Sequence, residues 1–406
     1  MLCRRPARTK ASRSVRSTGS HAFPAGNLAS GRRHDQPAVV ERVGWRRLIS
    51  GVTLAATLGL PLRAASAESV DLRAARIGDS GVWARVRGGT VRLTVEPELQ
   101  RGAARLLAKS RAKRGALVAS DPRTGKVLAW ASLGGDRDQV AEPSAPSASL
   151  FKVVTAAALL ESRRASTSTR RCWHGGERSI TLADLADDRE RDTACATMSE
   201  ALRGSVNLVF AKLALAYLQP DDLRGQAALL GFSDRVPIDV DVPPSTLRVP
   251  ADDLGLARAS AGFWNGRLSP LGALFAMQTI ANGGERVRLH VLAGDDDDER
   301  VSDGRAMRPD TAIGLRSMLE RVVQGGTAAK YFRDEDGVRA LPGVRVAGKT
   351  GTLVGGSPQR MYSWFAGFAG RGERRVAVAV LLCNDVAWWE KAGEVARDFL
   401  QLYYEP

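Results

Sequence analysis

Two hairpin signals stand far apart in this chain with apolar helices between them, and that arrangement most constrains the fold. Residues 116–120 and 127–132 are apolar runs joined by Asp121-Pro122-Arg123-Thr124-Gly125, which has the chemistry of a turn. Residues 362–369 and 375–382 form a second such pair, and a helix through Val395 and Leu402 follows it. Ahead of the first hairpin, residues 91–95 alternate as a strand does, and Pro97 sits where a helix begins. Leu99, Ala103, Leu106 and Leu107 then recur at helical spacing and make one apolar face. Between the hairpins, residues 150–160 read as a buried helix. Residues 198–202 and 208–218 read as two helices with a break at Gly204. Strands first and last with helices between predict an antiparallel sheet covered by helices.

Charge narrows the function. The chain has 406 residues, with 59 Lys+Arg against 44 Asp+Glu and a formal net charge of +15. Residues 1–67 hold 12 basic residues and only two acids, Asp35 and Glu41, which leaves 47 against 42 for the rest. The basicity therefore belongs mostly to the leader, and no nucleic-acid partner is expected of the folded part. Histidine is scarce: beyond the leader only His174 and His290 remain. The four cysteines, Cys3, Cys172, Cys195 and Cys383, include no CxxC pair. A metal centre is not expected from so few ligands, and a Ser-His-Asp triad would have to recruit one of two histidines. The acidic run at 295–298 lacks the glycine that a calcium loop needs at its sixth position, where Arg300 stands, so it reads as a solvated loop.

The leader reads as an export signal. Residues 1–42 show no apolar period and are taken as disordered or as an over-extended start. Arg46-Arg47, an apolar stretch over 48–62 and Ala65-Ser66-Ala67 follow in the order of a secretory signal peptide. A twin-arginine signal fits the downstream residues only partly. Cleavage after Ala67 is the expectation, with a periplasmic or extracytoplasmic product. Membrane association follows only if the leader stays uncleaved and residues 48–62 act as an anchor. Export leaves two readings open for Cys172 and Cys195, which lie 23 residues apart: a disulfide closing that loop, or two buried thiols. Cys383 ends an apolar run and is expected in the core. The organisation is then a leader over 1–67, a short linker over 68–90 and one domain over 91–406.

Three short motifs carry the chemistry: Ser149-Leu150-Phe151-Lys152, Ser205-Val206-Asn207 and Lys349-Thr350-Gly351-Thr352. Ser149 opens an apolar helix after a loop containing Pro143 and Pro146, and a helix start offers unpaired N–H groups and a positive dipole end. Lys152 lies one turn on, so its amine can reach back to the Ser149 hydroxyl. Serine needs a base to become a nucleophile, and lysine can be that base once its pKa is depressed, whereas arginine stays charged. The chain has 50 Arg and only 9 Lys, so lysine at 152 and 349 stands out. A second match, Ser110-Arg111-Ala112-Lys113, falls in the charged tail of the first helix and is expected at the surface.

SxxK, SxN and KTG in this order resemble the signature of penicillin-binding proteins and serine β-lactamases. The segments "DPRTGKVLAWAS", "ALRGSVNLVFAKLA", "LSPLGALFAMQTIANGG", "VVQGGTA" and "VAGKTGT" followed by "SWFAGFAG" are similar to that family's, and the resemblance covers residues 91–406. It implies a β-lactamase/transpeptidase-like α+β fold: an antiparallel sheet covered by helices on both faces, plus a mostly helical subdomain. By the same resemblance Ser149 is the acylated nucleophile, Lys152 its general base and Ser205 the proton relay to the leaving amine. Asn207 holds the substrate amide, and Lys349, on the strand edging the cleft, adds positive potential. Thr350 and Thr352, flanking Gly351, bind the terminal carboxylate of D-Ala-D-Ala or of a β-lactam. The backbone N–H groups of Ser149 and Thr352 form the oxyanion hole. The implied partners are peptidoglycan stem peptides and β-lactams, with no cofactor; nothing in the sequence names a protein partner.

Departures from the family and rival readings remain. Gly262-Phe263-Trp264-Asn265-Gly266 stands where many members have a plainer glycine-rich turn. The short stretch between leader and residue 91 implies no glycosyltransferase domain and no large pedestal. A β-lactamase is the alternative within the family. No Glu-containing loop of the common type is seen, and the oxacillin-hydrolysing type has an apolar residue where Asn207 stands. A penicillin sensor is a third reading. A remote one comes from Gly343-Val344-Arg345-Val346-Ala347-Gly348-Lys349-Thr350, which matches a phosphate-binding loop, although its variable positions read as strand.

Overall fold

The two distant hairpins meet in one sheet. In the computed structural model, which describes residues 70–405 except 79, 177–178, 264–265, 357–358 and 386–388, Arg114–Ser120 pairs antiparallel with Val127–Leu133. Arg360–Arg371 pairs in the same way with Arg374–Asn384. Arg374–Asn384 also pairs with Arg114–Ser120, with Val380 opposite Leu117, and so joins the early hairpin to the late one. Arg345–Gly355 adds to Arg360–Arg371 as an edge strand. The order across the sheet is 345–355, 360–371, 374–384, 114–120, 127–133. Strand Arg374–Asn384 is buried from Val376 onward because both faces of the sheet are covered, which is why its sequence is a continuous apolar run rather than an alternating one.

Helices Pro97–Lys109 and Ala392–Tyr404 pack together on one face, and Pro270–Ala281 and Pro309–Gly325 on the other. The first helix begins at Pro97 and buries Leu99, Ala103 and Leu107, as its apolar spacing predicts. A second, mostly helical part is built around Phe151–Glu161, which is buried over most of its length. Asn207–Tyr217, Pro220–Leu229 and Asp253–Ala261 pack on it. Met198–Gly204 leans on both Asn207–Tyr217 and Pro309–Gly325.

Several local expectations meet a different outcome. Much of 68–90, expected as a linker, carries strands Asp71–Gly78 and Gly81–Val86, which join Gly89–Leu93 in a three-stranded antiparallel sheet. In the first of these strands only Leu72 is fully buried, so exposed arginines such as Arg73 and Arg76 mask the alternation. Ser110 is buried rather than at the surface. Its Oγ donates to the Leu107 carbonyl at 2.6 Å and closes the helix end, while Lys113 is exposed and pairs with Asp385. The Gly343–Thr350 match is no phosphate loop, because Arg345–Gly355 is one unbroken strand with no helix after Lys349. The leader, Trp264 and Asn265 lie outside the described residues. Among the described residues, no helix is long and apolar enough to cross a membrane.

Strands Arg170–Trp173 and Ala194–Thr197 place Cys172 opposite Cys195, and the two are joined by a disulfide. This decides between the two readings of the pair; Cys383 is a buried free thiol. Closing a 23-residue loop removes chain entropy from the unfolded state. The double variant Cys172→Ala/Cys195→Ala is therefore expected to lose about 3 kcal/mol of unfolding free energy, read from denaturant midpoints under non-reducing conditions. Equal midpoints would show that the bond does not form in solution.

Candidate active site

Ser149 stands at the seam between the helical part and the sheet. The loop before it is held by Trp364, whose indole N–H donates to the Pro146 carbonyl at 2.9 Å. The chain then turns through Ala148 at φ 49°, a left-handed conformation, into a short 3₁₀ turn, Ala148–Leu150. Ser149 thus lies in that tight turn, just ahead of the α-helix that begins at Phe151. Gly262 explains how the next helix comes so close. With φ at 90°, a Cβ there would sit 2.0 Å from the Ala148 carbonyl oxygen, so only glycine lets the end of Asp253–Ala261 lie against the serine turn.

That approach supplies a partner for Lys152. Its Nζ lies 3.0 Å from Ser149 Oγ and donates to the Ala261 carbonyl at 2.7 Å. The side chain is fully buried. A second lysine repeats the pattern from the other layer. Lys349, fully buried on the edge strand, lies 3.0 Å from Ser205 Oγ and donates to the Thr350 carbonyl at 2.9 Å. Ser205 reaches it because the break between Met198–Gly204 and Asn207–Tyr217 places Ser205 itself in the left-handed region, φ 59° and ψ 36°.

The remaining expected residues fall around the same cleft. Asn207 opens its helix and donates from Nδ2 to the Gly176 carbonyl at 3.2 Å. Behind it, Asp192 binds His174 at 2.5 Å and Lys212 at 2.7 Å, which ties the loop carrying Gly176 to the helix headed by Asn207. Thr350 Oγ1 lies 2.7 Å from Thr327 Oγ1. A Cβ on Gly351 would meet Trp364 Cβ at 3.2 Å and Ala148 Cβ at 3.4 Å, so the strand packs directly on the serine turn. Thr352 is exposed at the mouth, and Ser149, Asn207, Gly262, Thr352 and Leu353 line one cleft. The structure brings all eight expected residues together. It adds Thr327, the carbonyls of Ala261 and Gly176, and Trp364. Thr327 and Trp364 lie in segments that already stood out, "VVQGGTA" and "SWFAGFAG", and nothing there marked either residue itself.

Electrostatics set these amines apart. Among the described residues neither forms an ion pair. Burial, and then the neighbouring charge of Lys349, hold the Lys152 amine well below the usual lysine range. Burial alone brings Lys349 down to about 7. A buried amine at 3.0 Å from a hydroxyl, and neutral for part of the time, can take that hydroxyl's proton.

Residues 115–401 match the penicillin binding protein transpeptidase domain, and the chain belongs to that family. It is 27% identical over 358 residues to the peptidoglycan D,D-transpeptidase PbpA of Mycobacterium tuberculosis, covering 76% of this chain and 70% of that one. Its fold is similar to the D,D-transpeptidase domain of a peptidoglycan glycosyltransferase from Eggerthella lenta, with 27% identity and a TM-score of 0.61 over 78% of this chain and 82% of that one. It is also similar to the imipenem acyl-enzyme complex of penicillin-binding protein A from M. tuberculosis, with 25% identity and a TM-score of 0.62 over 78% and 79%.

The lysine burial has a cost that pH reveals. An unfolded lysine keeps its proton to about pH 10, whereas folded Lys349 releases it near 7. Between those limits the unfolded chain binds more protons, so unfolding free energy rises with pH. Lys349→Met is expected to be more stable than the parent at neutral pH, by a margin that shrinks toward about pH 10 in urea titrations. A margin independent of pH would show that Lys349 does not titrate there.

Proposed function

We propose that this chain is a penicillin-binding serine D,D-transpeptidase that acts on the D-Ala-D-Ala stem peptides of peptidoglycan. Release of the same acyl-enzyme to water gives it D,D-carboxypeptidase activity. The observation that carries the reading is the buried Lys152 amine, which has no carboxylate partner among the described residues and lies 3.0 Å from a half-buried serine hydroxyl.

In the proposed reaction Ser149 Oγ attacks the carbonyl of the D-Ala-D-Ala bond as its proton passes to Lys152 Nζ. The backbone N–H groups of Ser149 and Thr352 take the developing oxyanion. As the C–N bond breaks, the proton that Lys152 took from Ser149 is relayed through the Ser205 hydroxyl, which gives up one proton as it takes up another, to the leaving amine, and D-alanine departs. An amine or water then attacks the Ser149 ester, and the hydroxyl is restored. Asn207 holds the substrate amide, while Lys349, Thr350 and Thr352 along the edge strand, with Gly351 between them, receive the terminal carboxylate. A β-lactam enters the same path, its ring amide opening onto Ser149 and staying attached. The M. tuberculosis protein captured as an imipenem acyl-enzyme supports that branch. No step calls for a metal or a cofactor.

The substrate class lies outside the cytoplasm, which agrees with a leader over 1–67, a short segment over 68–90 and a catalytic domain over 91–406. The Cys172–Cys195 disulfide also supports export. A β-lactamase, the nearest alternative, needs a base placed to activate water on the acyl-enzyme, and Asn207 at the head of its helix speaks against the oxacillin-hydrolysing type.

Incubation with benzylpenicillin is expected to add the mass of one ring-opened penicillin to the protein, stable over many minutes in intact-mass spectra. Ser149→Ala abolishes the adduct. Lys152→Arg abolishes it too although charge is kept, because a guanidinium does not accept a proton near neutral pH. Sustained multiple-turnover hydrolysis of nitrocefin would identify a β-lactamase instead, and full labelling of Lys152→Arg would remove lysine from the base role.

A further inference from the structure

A second concave site lies at the start of the strand that carries Lys349. Arg345 opens that strand, four residues before Lys349 and so about 13 Å from it at the rise of an extended chain. Arg345 faces a pocket shared with Arg316 of helix Pro309–Gly325 and with Arg371 and Arg375 of the last hairpin. Glu320 is the one carboxylate on the wall, so four guanidiniums against one acid leave a local excess of +3.

Two of the four arginines are fixed in place. Arg316 donates to the Ala281 carbonyl at 2.7 Å, with its guanidinium 5.6 Å from the centre of the Phe368 ring. Arg371 donates to the Tyr404 carbonyl at 2.7 Å and lies over the Tyr404 ring. Arg345 and Arg375 form no ion pair among the described residues. Some arginines elsewhere have a carboxylate partner, such as Arg308 with Glu161, Arg286 with Asp303 and Arg300 with Glu285; what sets this pocket apart is four guanidiniums gathered in one concavity. Burial lowers the Arg316 pKa, Glu320 raises it, and Arg375 and Arg345 push it down again, so the like charges are close enough to repel. Glu373, in the hairpin turn, is not on the pocket wall. Like charges gathered in a concavity destabilise the fold unless an anion joins them.

We propose that this pocket binds a phosphoryl group, held by Arg316, Arg345, Arg371 and Arg375. Guanidinium forks match tetrahedral phosphate oxygens in pairs, and a group with two or more negative charges answers an excess of three where a lone carboxylate answers only one. Gly343, Gly370 and Gly372 line the same pocket and add no side chains to its wall. The group reaches it either as a free phosphate compound or as the headgroup of a phospholipid. The site is separate from the serine cleft and does not depend on the reaction proposed there.

The test uses the full chain at about 150 mM NaCl, where loose surface attraction is screened. Inorganic pyrophosphate is titrated by calorimetry, and flotation is run in parallel with vesicles of phosphatidylcholine containing phosphatidic acid, whose phosphate monoester can carry two negative charges. One saturable site is expected, weakened about tenfold or more in Arg345→Gln/Arg375→Gln. Arg76→Gln/Arg105→Gln, which removes the same charge elsewhere, should leave binding unchanged, and both double variants should keep penicillin labelling as a check on folding. Pyrophosphate binding lost only in the first variant supports a free phosphate; vesicle binding alone, lost in the same variant, supports a headgroup. No saturable binding in either arm, or equal loss in both variants, overturns the proposal.

Discussion

Two amines buried with no carboxylate partner among the described residues are the constraint around which the rest of this molecule is arranged. Taking an ammonium out of water is costly, and the usual remedy is a paired acid. Here each amine has instead a serine hydroxyl and a backbone carbonyl, which offer it hydrogen bonds but no countercharge. The balance therefore tips toward the neutral form, and a neutral amine beside a hydroxyl is a base. The two lysines come from different layers, one from the central helix and one from the edge of the sheet, so the site exists only where those layers meet.

Holding that meeting point takes strain. Ala148 and Ser205, both non-glycine residues, sit in the left-handed region, and each flanks a reacting group. Such a conformation costs of order 1 kcal/mol or more and persists only where the surroundings leave no alternative. Trp364 pinning Pro146, Gly262 admitting the Ala148 carbonyl and Gly351 packed against Ala148 provide that confinement. The glycines matter for the contact they permit, not for flexibility.

The sequence made the side-chain half of this site legible and left its backbone half hidden. Ser149 and Lys152 announce themselves by a spacing that one helical turn requires, and both hairpins follow from turn residues between apolar runs. The Ala261 carbonyl that holds Lys152, and the Gly176 carbonyl that orients Asn207, belong to residues chosen for size, so no side-chain pattern points to them. Thr327 meets Thr350 across a helix end, a contact set by tertiary packing. The sheet over residues 71–93 was hidden by exposed arginines on strands that bury few side chains. Ser110 shows the converse: a motif match alone is no guide to place, since the end of a helix uses its hydroxyl for capping.

Strand order carries a consequence for how such a molecule is made. Arg114–Ser120 pairs at once with Val127–Leu133, but its neighbour on the other side is Arg374–Asn384, more than half the chain away. During synthesis the early hairpin thus waits as an unclosed edge while most of the polypeptide is added, and Lys349 joins the layer that carries Ser149 only once the late strands have arrived. Sequence-distant pairing of this kind folds slowly and exposes sticky intermediates. The cleft therefore assembles late, so a chain stalled before its last strands lacks the lysine pair altogether.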